Sequence, residues 1–477
     1  MSNQAKVIDK SLELGLGAET YSELVNKTSQ IVEQAKLLAN SVQEVLNITR
    51  SQIYLETIYI PFLAHFMQFR ELIRTRRPSS QVFRNFNEFH DYFYYHDTCT
   101  PNWLNFDWHW QEGEYDFIAA QPINIYEKLV YKVFGISYLE LKTRKLKGSI
   151  DIKPDFELRL ALENLISRHT NVFPDPDIID FLPMTLLEGL KSRLRFPKYP
   201  FAAVHWLGQI HNENYLFFLA YLRDRGALII GQPHAGCMGR MKFQFGNQIA
   251  EMILSDVYHS PMWGGNLNAF PDLRASRNLF INLKHVTRKK TKKKMLVIMP
   301  GFYTGQRQRY FLDKMFYAEN ISNNSFLHRQ LKDLLNHFSL ALDFKPGLKQ
   351  VNFAAEFSYL KEIYPYCDFV TDISVQEVSR SYEGIIHLVT WGTAIMELAG
   401  TDIPQYVYLG PEILLNKEYE SFLWNFRKSS TRKECSKGTW IQIDNKKLKL
   451  ACGASYLYPF HFAKLIKSLI KHPIKKI

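Results

Sequence analysis

Apolar residues recur at helical spacing near the start of the chain. Residues 20–50 carry them on one face, which predicts an amphipathic helix, and residues 51 to about 75 predict a second, aromatic-rich helix. The apolar face of the first helix is formed by Leu24, Ile31, Ala35 and Leu38. Residues 76–125 are dense in Phe, Tyr and Trp but show weak periodicity. We therefore expect a helical, aromatic-rich N-terminal region over residues 1–125.

The pattern changes near residue 197, after a mostly helical stretch over 126–195. FAAVHWL (201–207) and ALIIG (227–231) have the continuous apolar character of buried strands. The helical patterns NENYLFFLAYLRDRG and GNQIAEMILS follow them, and Gly226 at the end of the first is typical of a helix C-terminus. Alternating strands and helices predict a parallel sheet, so we assign 126–285 to a first Rossmann-like domain.

A second alternation follows the basic run KHVTRKKTKKK (284–294), which we interpret as a linker. KMLVIMPG, GIIHLVT and IPQYVYL predict buried strands, DFVTD predicts a short strand, and SFLHRQLKDLLNHFSLAL and GTAIMELAG predict helices. We assign 291–455 to a second Rossmann-like domain. The expected fold class is therefore α/β, with two doubly wound domains facing a cleft between their carboxyl-edge loops, where such folds bind ligands.

The segment FHFAKLIKSLIKH, within residues 456–477, predicts a basic amphipathic helix. Phe460, Leu465 and Leu469 supply its apolar positions, and lysines occupy 464, 467 and 471. A helix of this kind can lie on an anionic membrane, and it can equally return to pack on the amino-terminal domain. The sequence leaves both placements open.

Charge and cysteine content narrow the class of protein. The chain has 59 basic and 47 acidic residues, a net charge of +12, which indicates an anionic partner. We find no nucleic-acid-binding motif, which favours an anionic lipid or a phosphorylated small molecule over nucleic acid. Five scattered cysteines predict reduced thiols rather than a metal site. The first residues lack a signal-peptide core, so we expect a cytoplasmic protein, with contact at the inner face of the membrane left open.

A glycine-rich turn, LIIGQPHAGCMGR (228–240), follows one predicted strand and carries the candidate chemistry of the first domain. Gly231 and Gly236 let the backbone approach a ligand, with Gln232 between them. His234 can act as a general base or donate to a phosphate, although a histidine in a tight turn is often a structural hydrogen bonder. Further on, SDVYHSPMWGG adds Asp256 as a candidate acid and Trp263 as a residue that lines the cleft.

The second domain offers candidates for binding an anion. Gly392 and Thr393 stand where a strand ends and a helix begins, so free amides and a hydroxyl can face a phosphate. Glu397 follows on that helix and can accept hydrogen bonds from a ribose. The remaining candidates, from MPGFYTGQRQRY and LDFKPG, are Gly301, Arg309, Tyr310 and Lys345.

These motifs together resemble a transferase family encoded in bacterial O-antigen and surface-polysaccharide gene clusters. That family has a Gln-His-Gly-Gly turn, a helix ending in Ser-Asp, a Trp-Gly, and a Thr-x-x-x-Glu segment. The matching positions here are Gln232, His234, Gly236, Ser255, Asp256, Trp263, Gly264, Thr393, Glu397 and Pro404. Pro233 and Ala235 interrupt the usual turn, and Gly265 replaces a common aromatic residue.

The resemblance implies a glycosyltransferase-B type fold and transfer from a nucleotide sugar to a glycan or lipid-linked glycan. The first domain would face the acceptor and the second would hold the donor, with His234 and Asp256 in the catalytic role. We expect no cofactor and no required metal. Three alternatives stay open: a polyol-phosphate transferase with a cytidine-diphosphate donor, a sugar-nucleotide epimerase, and a non-catalytic membrane-associated scaffold.

Overall fold

Parallel strands buried on both faces organise the protein, in agreement with the expected α/β class. The computed structural model shows two six-stranded sheets and one two-stranded ribbon among the residues that it describes. The described residues are 21–75, 106–109, 111–120, 123–145, 154–173, 178–190, 200–208, 210, 213–231, 246–260, 276–277, 292–298, 341–345, 361–362, 364–370, 374–387, 394–399, 401–409, 417–435, 438–452 and 458–471.

The first sheet is entirely parallel, with the strand order β3-β2-β5-β6-β7-β8. Its strands are β2 (Glu114–Ala119), β3 (Tyr138–Glu140), β5 (Phe201–Trp206), β6 (Leu228–Gly231), β7 (Val257–Ser260) and β8 (Ser276–Arg277). The separate ribbon pairs β1 (Phe106–His109) with β4 (Lys142–Lys145) in antiparallel fashion. The predicted strands 201–207 and 227–231 are thus confirmed in place.

The sheet also includes residues that the sequence pattern does not mark as strands. Strand β2 (EYDFIA) begins before residue 126, and β3 and β4 lie within the stretch that looks helical. Two of the first three residues of β2, Glu114 and Asp116, are charged, and β4 (KTRK) has no apolar residue at all. Periodicity therefore gives no strand signal for these segments, and their pairing depends on neighbours distant in sequence.

Helices cover one face of the first sheet. Helices α1 and α2, the two predicted at the start of the chain, pack on each other, and α2 also packs on the helices that follow β5 and β6. The helices of this layer are α1 (Tyr21–Leu46), α2 (Gln52–Thr75), α4 (Phe156–Ile166), α5 (Ile178–Phe181), α6 (Glu213–Asp224) and α7 (Gly246–Ile253). Ile118 and Ile229 of the sheet join the same apolar cluster as Ile31 and Leu38 of α1. The amino-terminal helices thus belong to the layer that covers this sheet.

The opposite face is covered by α3 (Ile125–Val133) and α12 (Tyr458–Lys471). Phe462 and Ile466 of α12 pack in one apolar cluster with Phe117, Val204 and Trp206 of the sheet. The Lys467 Nζ donates to the Gly135 carbonyl at 2.9 Å, just beyond α3. The sequence left open whether the C-terminal helix lies on a membrane or packs back on the amino-terminal part of the chain. In the structure its buried apolar residues pack on the first sheet.

The second sheet has the order β10-β9-β11-β12-β14-β13. Its first four strands are parallel, and β14 pairs in antiparallel fashion with both β12 and β13. The strands are β9 (Lys292–Ile298), β10 (Ala341–Lys345), β11 (Tyr382–His387), β12 (Gln405–Leu409), β13 (Arg427–Cys435) and β14 (Gly438–Ile443). The helices described beside it are α8 (Val375–Ser379), α9 (Ala394–Glu397), α10 (Lys417–Asn425) and α11 (Asn445–Cys452). The parallel part is compatible with a Rossmann-like fold.

Three details of the second sheet differ from the expected pattern. Ala341 and Leu342, the end of the predicted helix SFLHRQLKDLLNHFSLAL, lie in β10. Within the predicted strand DFVTD, Phe369 makes a single parallel bridge to Phe344. The basic run ends inside β9, where Lys294 Nζ donates to the buried Asp343 carboxylate at 2.7 Å. The helical period of the predicted helix continues into Ala341 and Leu342, so it does not show where β10 begins. The partner of Lys294 is 49 residues away, so the lysine run gives no sign of this ion pair.

We predict that Ile466→Ala weakens the attachment of α12. Ile466 is fully buried against the first sheet, so the truncation should lower the free energy of unfolding by about 3 kcal/mol. Urea unfolding followed by circular dichroism measures the change, and Ser468→Ala, at an exposed position of the same helix, is the matched control. Equal stability of the two variants would contradict the packing described for α12.

Candidate functional site

The candidate residues of the first domain begin at the carboxyl edge of the first sheet. Strand β6 ends at Gly231 and β7 ends at Ser260, and these strands are parallel neighbours. The turn with His234 therefore leaves the same edge of the sheet as the segment with Trp263. Because parallel strands end at one edge, the predicted grouping of these two segments is compatible with the topology.

Gly231 has a packing role at this edge. A Cβ on this residue would collide with the Oγ of Ser255 and would lie 2.8 Å from Cδ2 of Tyr258. Ser255 cannot easily move aside, because its hydroxyl donates to the Glu251 carbonyl at 2.6 Å. The absence of a side chain lets β6 approach the corner between α7 and β7, whatever ligand the following turn meets.

Asp256 immediately precedes β7 and is joined to β6 by two hydrogen bonds. Its Oδ2 accepts from the Ile229 amide at 2.7 Å, and its own amide donates to the Ile229 carbonyl at 2.8 Å. Ile229 precedes Gly231 in β6, whereas His234 follows it. The geometry gives Asp256 a structural role on the amino side of the strand ends, and its catalytic role stays a prediction.

Another group that the sequence analysis did not single out, His205, holds the first sheet together near its break in strand order. The chain passes from β2 to β3 on one side and then places β5 on the other side of β2. Since a carbonyl can only accept, His205 Nδ1–H donates to the Ile118 carbonyl of β2 at 3.1 Å. The Tyr215 hydroxyl then donates to His205 Nε2 at 2.6 Å. Burial lowers the pKa of His205 to about 3, so the ring is neutral and fully paired.

The second sheet has its break in strand order between β9 and β11. From β9 the chain forms β10 on one side and then returns to form β11 on the other. Ligands of open α/β sheets bind at such breaks, outside the carboxyl ends of the strands. Here the ends are Ile298 and His387, which are register partners, and Lys345 of β10 is the other partner of Ile298. Lys345 and His387 are both buried, and adjacent-strand spacing separates their backbones by about 10 Å.

A hydrogen-bonded chain fixes the tautomer of His387. Asn445 uses both of its N–H groups on the Thr401 and Ile403 carbonyls at 3.0 and 2.7 Å, so its oxygen accepts from Gln405 Nε2 at 2.8 Å. Gln405 Oε1 in turn accepts from His387 Nε2–H at 2.8 Å. The proton of His387 therefore sits on Nε2, and Nδ1 carries a lone pair.

The Nδ1 atom of His387 is buried and has no hydrogen-bond partner in the part of the chain that the structure describes. Burial lowers the pKa of His387 to about 4, while the bond to Gln405 opposes the shift. At neutral pH the residue is thus an uncharged acceptor at the break in strand order. In the sequence, His387 is only one position of the predicted strand GIIHLVT, because the residues that fix its tautomer lie 18 residues away and farther.

The same chain of polar groups positions α9, which carries Glu397. Gln405 Nε2 donates to the Ile395 carbonyl of α9 at 3.2 Å. Ala394 and Leu398 of this segment pack with Ile298 in one apolar cluster. Glu397 is partly buried at the end of the helix. The structure thus brings α9 next to the strand ends that hold His387, and Lys345 shares their edge.

The remaining candidates lie outside the described residues and stay predictions. They are Gln232, His234, Gly236, Trp263, Gly301, Arg309, Tyr310, Gly392 and Thr393. Asp175 and Asp177, an Asp-x-Asp pair that the sequence analysis passed over, are also outside them, so the expected independence of metal is likewise open to test. Within the described segments, no group of three or more His, Cys, Asp or Glu side chains is arranged to hold a metal ion.

Two further observations bear on function. None of the described helices has both the length and the apolar character that a membrane crossing requires. Comparisons with protein-family models, with curated proteins and with solved structures find no match to the chain.

We predict that Gly231→Ala destabilises the protein by about 2 kcal/mol or more, because the new methyl group overlaps Ser255. Gly384→Ala is the matched comparison. There the nearest atom is the flexible Cε of Met295 at 2.7 Å, which can rotate away, so we expect a smaller loss. Thermal unfolding compares the melting temperatures of the two variants. Equal melting temperatures would refute the packing role of Gly231.

The buried histidines predict a loss of stability in acid. Their folded pKa values lie below the unfolded value of about 6.5, so proton binding favours the unfolded chain. Their contribution is complete above about pH 6.5 and is lost as the pH falls toward 4. Replacing His387 with Asn should reduce the fall in unfolding free energy between about pH 7 and pH 5 by about 2 kcal/mol. Urea unfolding across this range tests the prediction, with His461→Asn, at an exposed site on α12, as the control. An unchanged pH dependence in His387→Asn would contradict it.

Proposed function

We infer that the protein is a metal-independent glycosyltransferase that moves a sugar from a nucleotide-sugar donor to a surface-polysaccharide acceptor. In this proposal the first sheet and the parallel part of the second sheet form the two halves of a glycosyltransferase-B type arrangement, with the donor against the second sheet. The observation that carries the proposal is the break in strand order between β9 and β11. A buried neutral acceptor, His387, lies there on the same edge as a buried lysine, Lys345.

The donor-side residues have complementary roles in the proposal. Glu397 on α9 accepts hydrogen bonds from the ribose hydroxyls. Gly392 and Thr393, which immediately precede α9, contact the phosphates, and Gly301 and Tyr310 complete the loop that follows β9. Arg309 and Lys345 supply the positive charge that a diphosphate requires.

The reaction follows from these positions. The acceptor hydroxyl oxygen forms a bond to the anomeric carbon of the sugar while the bond from that carbon to the diphosphate oxygen breaks. His234 takes the hydroxyl proton, and negative charge develops on the leaving diphosphate. Arg309, Lys345 and the backbone amides before α9 stabilise that charge in the transition state. The acceptor is a glycan or a lipid-linked glycan, which agrees with an enzyme working at the inner face of a membrane.

The proposal predicts a nucleotide-dependent gain in thermal stability. A ligand that binds only the folded state must stabilise it, so one nucleotide in a panel of nucleoside mono- and diphosphates should raise the melting temperature. The panel includes cytidine diphosphate, and a chelator arm tests whether a metal contributes. Absence of any shift in folded protein would overturn the assignment of a nucleotide donor.

Two variants separate binding from transfer. Glu397→Ala should weaken binding of that nucleotide about tenfold or more, because it removes charged hydrogen-bond acceptors, whereas Glu420→Ala, at an exposed position of α10, should not. His234→Ala should keep nucleotide binding and lose sugar transfer. Calorimetry and a transfer assay measure the two quantities. An equal loss of binding in the Glu397 and His234 variants would place His234 in the donor site and refute its role as base.

A further inference from the structure

Helix α3 exposes large apolar side chains along one side. Ile125, Leu129 and Val133 follow each other at intervals of four residues and are 87%, 59% and 73% exposed. The other side of the helix is buried through Val130 and Tyr131. Single exposed apolar residues are ordinary, but a row of three on one helix is the pattern of a surface that meets an apolar partner.

Helix α12 extends this surface. Phe460 is 36% exposed, and its ring lies 6.0 Å from the ring of Tyr126 and 6.3 Å from that of Phe134. Both helices lie in the same layer on the first sheet, so their outward sides face solvent together. We define the α3–α12 face as Ile125, Tyr126, Leu129, Val133 and Phe460. An open groove beside it, lined in part by Leu129, Lys132 and Tyr138, continues it toward the sheet edge.

Lysines border the α3–α12 face. Lys132 of α3 and Lys464 and Lys471 of α12 are exposed, and the described part of the structure gives them no ion-pair partner. By contrast, Lys128 is paired with Glu140 at 2.7 Å, and Lys467 bonds to the Gly135 carbonyl. The charge available to a partner at this face is therefore positive, in keeping with the net charge of the chain.

Apolar side chains with a positively charged border are suited to a partner that is both apolar and anionic. An anionic membrane surface offers an apolar boundary for the side chains and negative headgroups for the lysines, and both contributions are needed for firm attachment. A second copy of the chain fits poorly, because a two-fold contact would set the same lysines against each other. We propose that the α3–α12 face docks the protein on an anionic lipid surface, through the side of the first sheet that α12 covers.

Vesicle co-sedimentation of the full chain tests the proposal. The wild-type protein should bind vesicles that contain phosphatidylglycerol and bind pure phosphatidylcholine vesicles much more weakly, with binding reduced by salt. The double variant Leu129→Ser with Val133→Ser should lose about tenfold or more in partition coefficient. Its matched control is Phe156→Ser with Leu160→Ser on α4, where the side chains are 77% and 58% exposed but belong to the opposite layer. All four positions are exposed, so both variants should fold, and their melting temperatures verify this.

The charge contribution has its own control. Lys132→Gln combined with Lys464→Gln and Lys471→Gln should weaken binding to anionic vesicles by about tenfold or more. Replacing Lys36, Lys142 and Arg168 with Gln removes as many exposed charges elsewhere and should have a smaller effect. Equal losses in variant and control, or unaltered binding in the Leu129 and Val133 variant, would overturn the proposal. So would a wild-type dimer that this variant dissociates in light scattering without any vesicle binding.

This proposal does not depend on the proposed transfer reaction. Binding to vesicles is measured without nucleotide or sugar, and the nucleotide panel is measured without lipid. Failure of one experiment therefore leaves the other conclusion in place.

Discussion

A parallel sheet that is buried on both faces confines ligand chemistry to the ends of its strands. In both sheets of this protein most of the buried strand residues are apolar, so reactive groups can meet a ligand only where the strands stop. The break in strand order then selects one pair of strand ends in each sheet. In the first sheet that pair is linked by His205, while in the second it holds His387 with an unsatisfied nitrogen among the described residues.

The comparison of these two histidines shows how similar burial leads to different roles. Both rings are fully buried and neutral, because desolvation disfavours the imidazolium ion. Both ring nitrogens of His205 are hydrogen bonded, one to a backbone carbonyl and one to a tyrosine hydroxyl, so its role is structural. In His387, Nε2 is hydrogen bonded to Gln405, whereas Nδ1 is a buried acceptor without a described donor. An unsatisfied buried acceptor lowers the stability of the folded state until a group donates to it. Burial alone therefore does not distinguish the two histidines, whereas the unsatisfied Nδ1 atom of His387 does.

Sequence patterns predicted the elements whose signal is local and missed those whose signal is not. Four strands were recognisable because a short, mostly apolar run needs burial on both faces. They lie in FAAVHWL, ALIIG, GIIHLVT and IPQYVYL. The strand EYDFIA was missed because charged residues at its start break the apolar pattern. The beginning of β10 was missed because the helical period of the preceding segment continues into it. At the site, Lys345 was a candidate from the segment LDFKPG, and the structure makes it the last residue of β10. His387, by contrast, depends on Gln405 and Asn445, which only the fold brings to it. Asp256 was identified as a notable acid, yet its bond to Ile229 could not be foreseen without the register.

The position of α12 has a consequence for how the protein is made. Phe117, Val204 and Trp206 of the first sheet are covered by a helix that follows the entire second sheet in the chain. During synthesis the ribosome completes the first sheet's strands long before it produces their cover, at a rate of about 5–20 residues per second. For several seconds, at the least, this apolar sheet face is exposed to solvent or covered by a chaperone. The nascent chain is thus most prone to aggregate while the second sheet is still being translated, before α12 covers this face.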